Sequence, residues 1–185
     1  MRTTLLRLSA QLCGAVILLS PCALAQDAPA ERFLAFASDG HEARISNFSG
    51  LPVPRYSSIK NAPANGRAGP SPDYPVRWQY QVAGLPVVII RETEDWRKIR
   101  DPQGDEVWIH RALISGDPTA ITMYEGAIVR EPDEAAEVVA RYTSGLVVSL
   151  DRCEGAWCRV SSGDKKGWAP RRQLWGVESL YPGSP

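Results

Sequence analysis

The chain has 185 residues, with 21 Lys and Arg against 21 Asp and Glu, a formal charge of zero. Neutrality removes any general attraction to nucleic acid or acidic surfaces, and 44% hydrophobic with 23% charged residues excludes a wholly disordered chain. Fifteen Gly and fifteen Pro favour turns and short strands over long helices.

Arg2 and Arg7 flank the start of an apolar stretch, Leu8 to Leu19, followed by Pro21 and by Ala23-Leu24-Ala25. A basic start, a short apolar run and an Ala-x-Ala site predict a secretory signal over 1–25, cleaved after Ala25. The run is shorter than the ~20 residues that span a bilayer. A lipid anchor at Cys22 is the alternative, and Pro21 is a poor residue to precede it. Cleavage removes Cys13 and Cys22 and leaves Cys153 and Cys158. No later run reaches membrane length, so no span is expected in the mature chain. The expected location is the periplasm, with extracellular or lipid-anchored placement as alternatives.

Residues 26–54 are rich in Ala, Ser, Gly and Pro without a sustained period and read as a flexible leader. From Tyr56 onward short apolar runs alternate with turn residues, and the pattern occurs twice. Tyr80, Gly84, Trp96, Trp108 and Leu113 of the first window return as Tyr142, Gly145, Trp157, Trp168 and Leu174 at offsets of 60–62 residues. A period near 60 marks duplication of a whole small domain, with predicted boundaries 55–116 and 117–178 and a tail over 179–185. Predicted strands in the first copy are 76–81, 87–91, 96–100 and 107–109; in the second they are 138–142, 147–150, 158–161 and 167–169. Residues 111–114 and 171–174 each suit one helical turn. About five short strands in 60 residues make a small, strongly bent barrel, so the fold class is all-β, two small barrels in tandem. A unit of that size is marginal alone.

RAGPSPDYPV (67–76), then AGLPVVII, DWRKI and VWIHRALI, resembles the bacterial SH3-type (SH3b) domain family, and RCEGAWCRV with KGWAPRRQL carries the second copy. The resemblance spans about 56–177 and implies two SH3-like barrels. The sequence departs from the family pattern at Gly66, where Val or Leu is usual, and at Val107, where Gly precedes Trp.

A catalytic site needs a nucleophile, a base and a group to orient them. The two His are His41 and His110, and the mature cysteines sit where the first copy has Glu92 and Arg97, facing each other across a tight hairpin. A Cys153–Cys158 disulfide is predicted; the C-x-x-C spacing of a redox pair is absent. No metal-ligand spacing occurs, no cofactor is expected, and Glu131, Asp133, Glu134 and Glu137 read as a solvated turn. The chain is therefore expected not to be an enzyme.

Small barrels bind through rigid aromatics beside a groove. The candidate ligand-binding residues are Tyr74, Trp78, Tyr80, Trp96, Trp108, His110 and Arg111. Because Trp96 and Trp108 return as Trp157 and Trp168, those four are also expected to serve the shared core. Tyr74 and Trp78 correspond to Ala136 and Ala140 of the second copy and are divided between a groove and the surface between the barrels, where Trp175 is placed. Arg97, Lys98, Arg100, His110 and Arg111, and separately Arg159, Lys165, Lys166, Arg171 and Arg172, form either anion-binding surfaces or ordinary solvated faces. The expected function is a non-enzymatic cell-envelope protein binding peptide or peptidoglycan fragments. A scaffold or sensor module recruiting an envelope protein is the alternative, and no nucleic-acid partner is expected.

Overall fold

The computed structural model describes residues 43–177. The predicted signal, its Ala25 site, Cys22, His41 and the 179–185 tail lie outside the described residues. Two-residue strands β1 (Arg44–Ile45) and β2 (Pro52–Val53) pair as an antiparallel hairpin. The predicted leader thus ends early, because residues 43–54 are held on the first barrel. Ser49 Oγ donates to Oε2 of Glu92, a carboxylate that also receives Arg55.

The first barrel comprises β3 (Arg55–Ile59), β4 (Ala64–Arg67), β5 (Val76–Tyr80), β6 (Pro86–Glu92), β7 (Trp96–Arg100), β8 (Glu106–His110), a 3-10 turn over Arg111–Leu113, and β9 (Ile114–Ser115). The second repeats it as β10 (Thr119–Thr122), β11 (Gly126–Val129), β12 (Val138–Tyr142), β13 (Val147–Glu154), β14 (Trp157–Ser162), β15 (Lys165–Pro170), a 3-10 turn over Arg171–Gln173, and β16 (Leu174–Trp175). Sheet order is β5-β4-β8-β7-β6-β3-β9 in one and β12-β11-β15-β14-β13-β10-β16 in the other, so the copies agree strand for strand. Each has seven strands where about five were expected. β3 and β10 precede the legible repeat, β4 carries Asn and Gly rather than β-formers, and β9 and β16 are only two residues long.

Alternation of side chains along each strand decides what lies inside. On β7 and β8, Arg97, Ile99, Val107 and Ile109 point inward, leaving Trp96, Lys98, Glu106, Trp108 and His110 on the outer face. The first core joins Ile59, Val87, Ile89, Ile99, Val107 and Ile109 with Tyr80; the second joins Ile128, Val148, Cys158, Val160 and Leu174 with Tyr142. Of the four repeated tryptophans expected to serve the shared core, Trp96 and Trp157 are only half-buried. Trp108 and Trp168 are buried on the outer face, and Arg152 lies 5.3 Å over the Trp168 ring. The aromatic that both interiors share is the tyrosine.

The barrels touch. Trp175 meets Tyr56 edge to face at 5.4 Å, and Ser58 Oγ donates to the Asp117 carbonyl at 3.0 Å. Trp175 therefore occupies the inter-barrel surface expected of it.

Candidate functional site

The hairpin β6–β7 is closed by Glu92 opposite Arg97, and the hairpin β13–β14 by Cys153 opposite Cys158. The predicted disulfide is present, with Cα atoms 4.0 Å apart. Its counterpart is an ion pair: Arg97 Nε lies 2.9 Å from Glu92 Oε1, whose side chain is only 1% exposed. Burial raises the Glu92 pKa, but hydrogen bonds from Ser46, Ser49 and Arg55 outweigh it and hold the carboxyl below its ordinary range.

Beside the turn of the β6–β7 hairpin lies an outer-face groove on the first barrel. It is about 410 Å³ and is lined by Asn65, Arg67, Pro72, Asp95, Trp96, His110 and Leu113. β4 turns Ala64 and Gly66 inward, so Asn65 and Arg67 face out. β7 and β8 pair Trp96 with His110, whose rings meet edge to face at 5.5 Å. His110 Nδ1 accepts from the Ala112 amide at 3.3 Å, capping the 3-10 turn; a neutral ring then carries its proton on Nε2 as a donor. Arg111 reaches Asp95 at 3.1 Å. Arg67 Nη1 donates to the Tyr74 carbonyl at 2.7 Å, fixing the 68–75 loop that brings Pro72 to the rim.

Of the seven predicted binding residues the groove brings together Trp96 and His110, with Arg111 tied to its Asp95. Trp108 is buried opposite Lys98 and Arg67. Tyr80 is a core residue: its hydroxyl donates to Asp101 Oδ2 at 3.0 Å and accepts from Trp78 Nε1 at 3.0 Å. Burial raises the Tyr80 pKa far above the ordinary phenol value, keeping it a neutral donor. Tyr74 and Trp78 remain 47% and 37% exposed but do not line the groove. Trp78 pairs with Gly66 as Tyr80 pairs with Ala64, on the inward side of β4, and a bulge separates it from the side of Val76. Arg67 pairs with Val76, so Arg77 is the extra residue and the face changes between Val76 and Trp78. Strict alternation would have aligned Tyr74, Trp78 and Tyr80.

Sequence reasoning missed Asn65, Arg67, Pro72, Asp95 and Leu113. A signal existed in the repeat, since Asn65, Arg67, Asp95 and His110 correspond to Ala127, Val129, Ala156 and Pro170. The second barrel keeps Trp157 at this place and loses every polar partner around it.

The basic surfaces resolve into local pairs. Lys98 and Arg100 both hold Glu106; Arg159 lies near Asp151, Lys165 on Asp164 and Arg172 on Glu134. Arg171 donates to the Val177 carbonyl. The acidic turn is likewise occupied, with Glu137 on Arg130 and Asp133 capping the Ala135 amide. Among the described residues no group of His, Cys, Asp and Glu could hold a metal ion, and no helix is long and apolar enough to cross a membrane.

The family profile described as "Bacterial SH3 domain" matches residues 60–116 and 124–176. No curated protein matches at a significant level. Among solved structures, NlpC2 from Trichomonas vaginalis is similar at 12% identity with a TM-score of 0.31, over 66% of this chain and 48% of that one. NlpC1 from the same organism is similar at 14% identity with a TM-score of 0.30, over 71% and 48% respectively. The chain spans about half the length of these proteins.

Proposed function

The chain belongs to the bacterial SH3 domain family, and on that premise we propose that it works in the cell envelope, holding peptide or peptidoglycan fragments in the groove of its first barrel. Domains of this family are non-enzymatic binding modules, and the chain is a binding protein rather than an enzyme. The observation that carries the placement is the groove around Trp96 and His110. It offers one flat aromatic face, an imidazole donor, a carboxylate and a guanidinium within about 410 Å³, the mixture of apolar surface and few fixed polar groups that suits a short peptide. The predicted secretory signal supports the periplasm as the place of action.

The test is co-sedimentation of the purified mature protein with insoluble peptidoglycan. Trp96→Ala removes the aromatic anchor from an outer-face position without touching the core. Loss of a binding hot spot of ~2 kcal/mol corresponds to weakening by roughly 30-fold. Equal sedimentation of wild type and Trp96→Ala would sink the groove reading. Recovery of one envelope protein with no wall binding would move the assignment to recruitment of a partner.

A further inference from the structure

The second barrel lacks the polar lining at Trp157, yet it opens a different cleft at the end formed by β11 and β12. This space is about 710 Å³ and is lined by Glu125, Gly126, Arg141, Tyr142, Thr143 and Leu146. Its floor is fixed. Tyr142 Oη donates to Gln173 Oε1 at 2.6 Å, and both lie close over Gly126, where an added Cβ would stand 2.4 Å from that oxygen and 2.7 Å from the tyrosine oxygen. Leu146 is held by its amide on Thr122 Oγ1 at 2.9 Å.

The same place in the first barrel is chemically closed. There Gln81 Nε2 donates to Gln79 Oε1 and Gln79 Nε2 donates to Asn65 Oδ1, each at 2.8 Å, so neutral amides satisfy one another. In the second barrel Arg141 replaces Gln79, Thr143 replaces Gln81, Glu125 replaces Pro63 and Ala127 replaces Asn65. Duplication has thus put opposite charges on one rim. Glu125 and Arg141 form no ion pair with each other or with any other described residue, whereas most other charges on this barrel are paired locally. They stand more than ion-pair distance apart across a space with an apolar side, Leu146, and an aromatic floor, Tyr142.

We propose that this cleft is a second ligand site, separate from the groove at Trp96, that takes a short zwitterionic peptide. The peptide's free carboxylate lies on Arg141, its free ammonium on Glu125, and its side chains against Tyr142 and Leu146. A guanidinium matches a carboxylate in a two-pronged hydrogen bond, and rim charges that cannot satisfy each other select a ligand bearing both signs. One chain then presents two recognition chemistries, an aromatic groove on the first barrel and a charge-pair cleft on the second.

Trialanine with free termini, titrated into the 15N-labelled mature protein, is the test probe. Saturable shifts are expected at the Gly126, Thr143 and Leu146 amides. Arg141→Gln and Glu125→Gln, both at exposed positions, are expected to weaken binding at least 5-fold while leaving the rest of the spectrum unchanged. N-acetyl-trialanine amide, which carries neither charge, is expected to bind at least 5-fold more weakly than trialanine. Trp96→Ala is expected to leave the titration unaltered, so failure of the groove reading and failure of this one are separable. Absence of saturable shifts at these amides, or equal binding of the blocked peptide, would overturn the proposal.

Discussion

Gly66 and Val107 face each other in the first barrel, and Ile128 and Gly167 face each other at the equivalent point of the second. The bulk has changed sides. A Cβ at Gly66 would come within 2.7 Å of Val107 Cγ2, and a Cβ at Gly167 within 2.7 Å of Ile128 Cγ2 and 2.3 Å of the Val129 carbonyl. The two departures from the family pattern are therefore one compensated exchange of volume, large against small across β4 and β8. Overfilling such a site costs roughly 1–3 kcal/mol, and emptying it leaves a cavity with its own penalty. Gly66→Ile and Val107→Gly are each expected to lower stability in urea. The double variant, which copies the second barrel, is expected to recover at least about 1 kcal/mol relative to the sum of the singles, since residues in contact are not additive. Strict additivity would mean that the two side chains do not share a space.

The paired hairpins β6–β7 and β13–β14 solve one problem by different chemistry. The Glu92 carboxyl is depressed in the folded state, so its network stabilises the first barrel above the ordinary Glu value of about 4.3. That contribution is lost as pH falls through the folded value. The disulfide in the second barrel is indifferent to this titration and closes a loop worth about 2 kcal/mol in the chain-entropy model. Glu92→Gln, which leaves Arg55 and Arg97 buried without their anion, is expected to cost about 3 kcal/mol at neutral pH and to flatten the acid limb of stability below pH 4.5. Reduction with dithiothreitol at neutral pH is expected to lower stability by about 2 kcal/mol. An unchanged acid limb in Glu92→Gln, measured by urea titration at several pH values, would remove the network from the account. These hairpins were legible in the sequence because alternation and turn residues coincide there and because the repeat aligned Glu92 and Arg97 with the cysteines. β7 and β12 also fall where alternation put them. The groove was only half legible. Trp96 and His110 follow from strand parity, but the Arg77 bulge reverses the face beside Trp78, and bulges leave no mark in a hydrophobic pattern. Tyr80, expected at a ligand, lies in the core for a related reason: recurrence in both copies shows shared demand without saying whether it lies inside the sheet, as for the tyrosines, or on its outer face, as for the tryptophans.

The two barrels are joined by only Gly116, Asp117 and Pro118 between β9 and β10, and that joint is clamped. Ser115 Oγ holds Asp117 Oδ2 at 2.6 Å while Ser58 holds the Asp117 carbonyl. Beside it Trp175, buried on β16, meets Tyr56 of β3, and Gly176 lets the chain pass the Thr119 carbonyl and Pro86, where an added Cβ would stand 3.0 and 3.3 Å away. Units of about 60 residues bury too little surface to be secure alone, so this contact is expected to make the pair unfold as one. In wild type, urea curves followed by tryptophan fluorescence and by far-UV circular dichroism are expected to coincide. Trp175→Ala removes an edge-to-face partner and its buried area, a loss of about 3–5 kcal/mol for a buried tryptophan, and is expected to separate the two curves. Reductant would then shift only the component that contains Cys153 and Cys158, whereas in wild type it shifts the single transition as a whole. A Trp175→Ala protein that still unfolds in one coincident step would show that the short linker couples the barrels by itself. Separation would show that the aromatic contact fixes the spacing between the groove at Trp96 and the cleft at Arg141, so that a ligand engaging both would meet a rigid pair of sites.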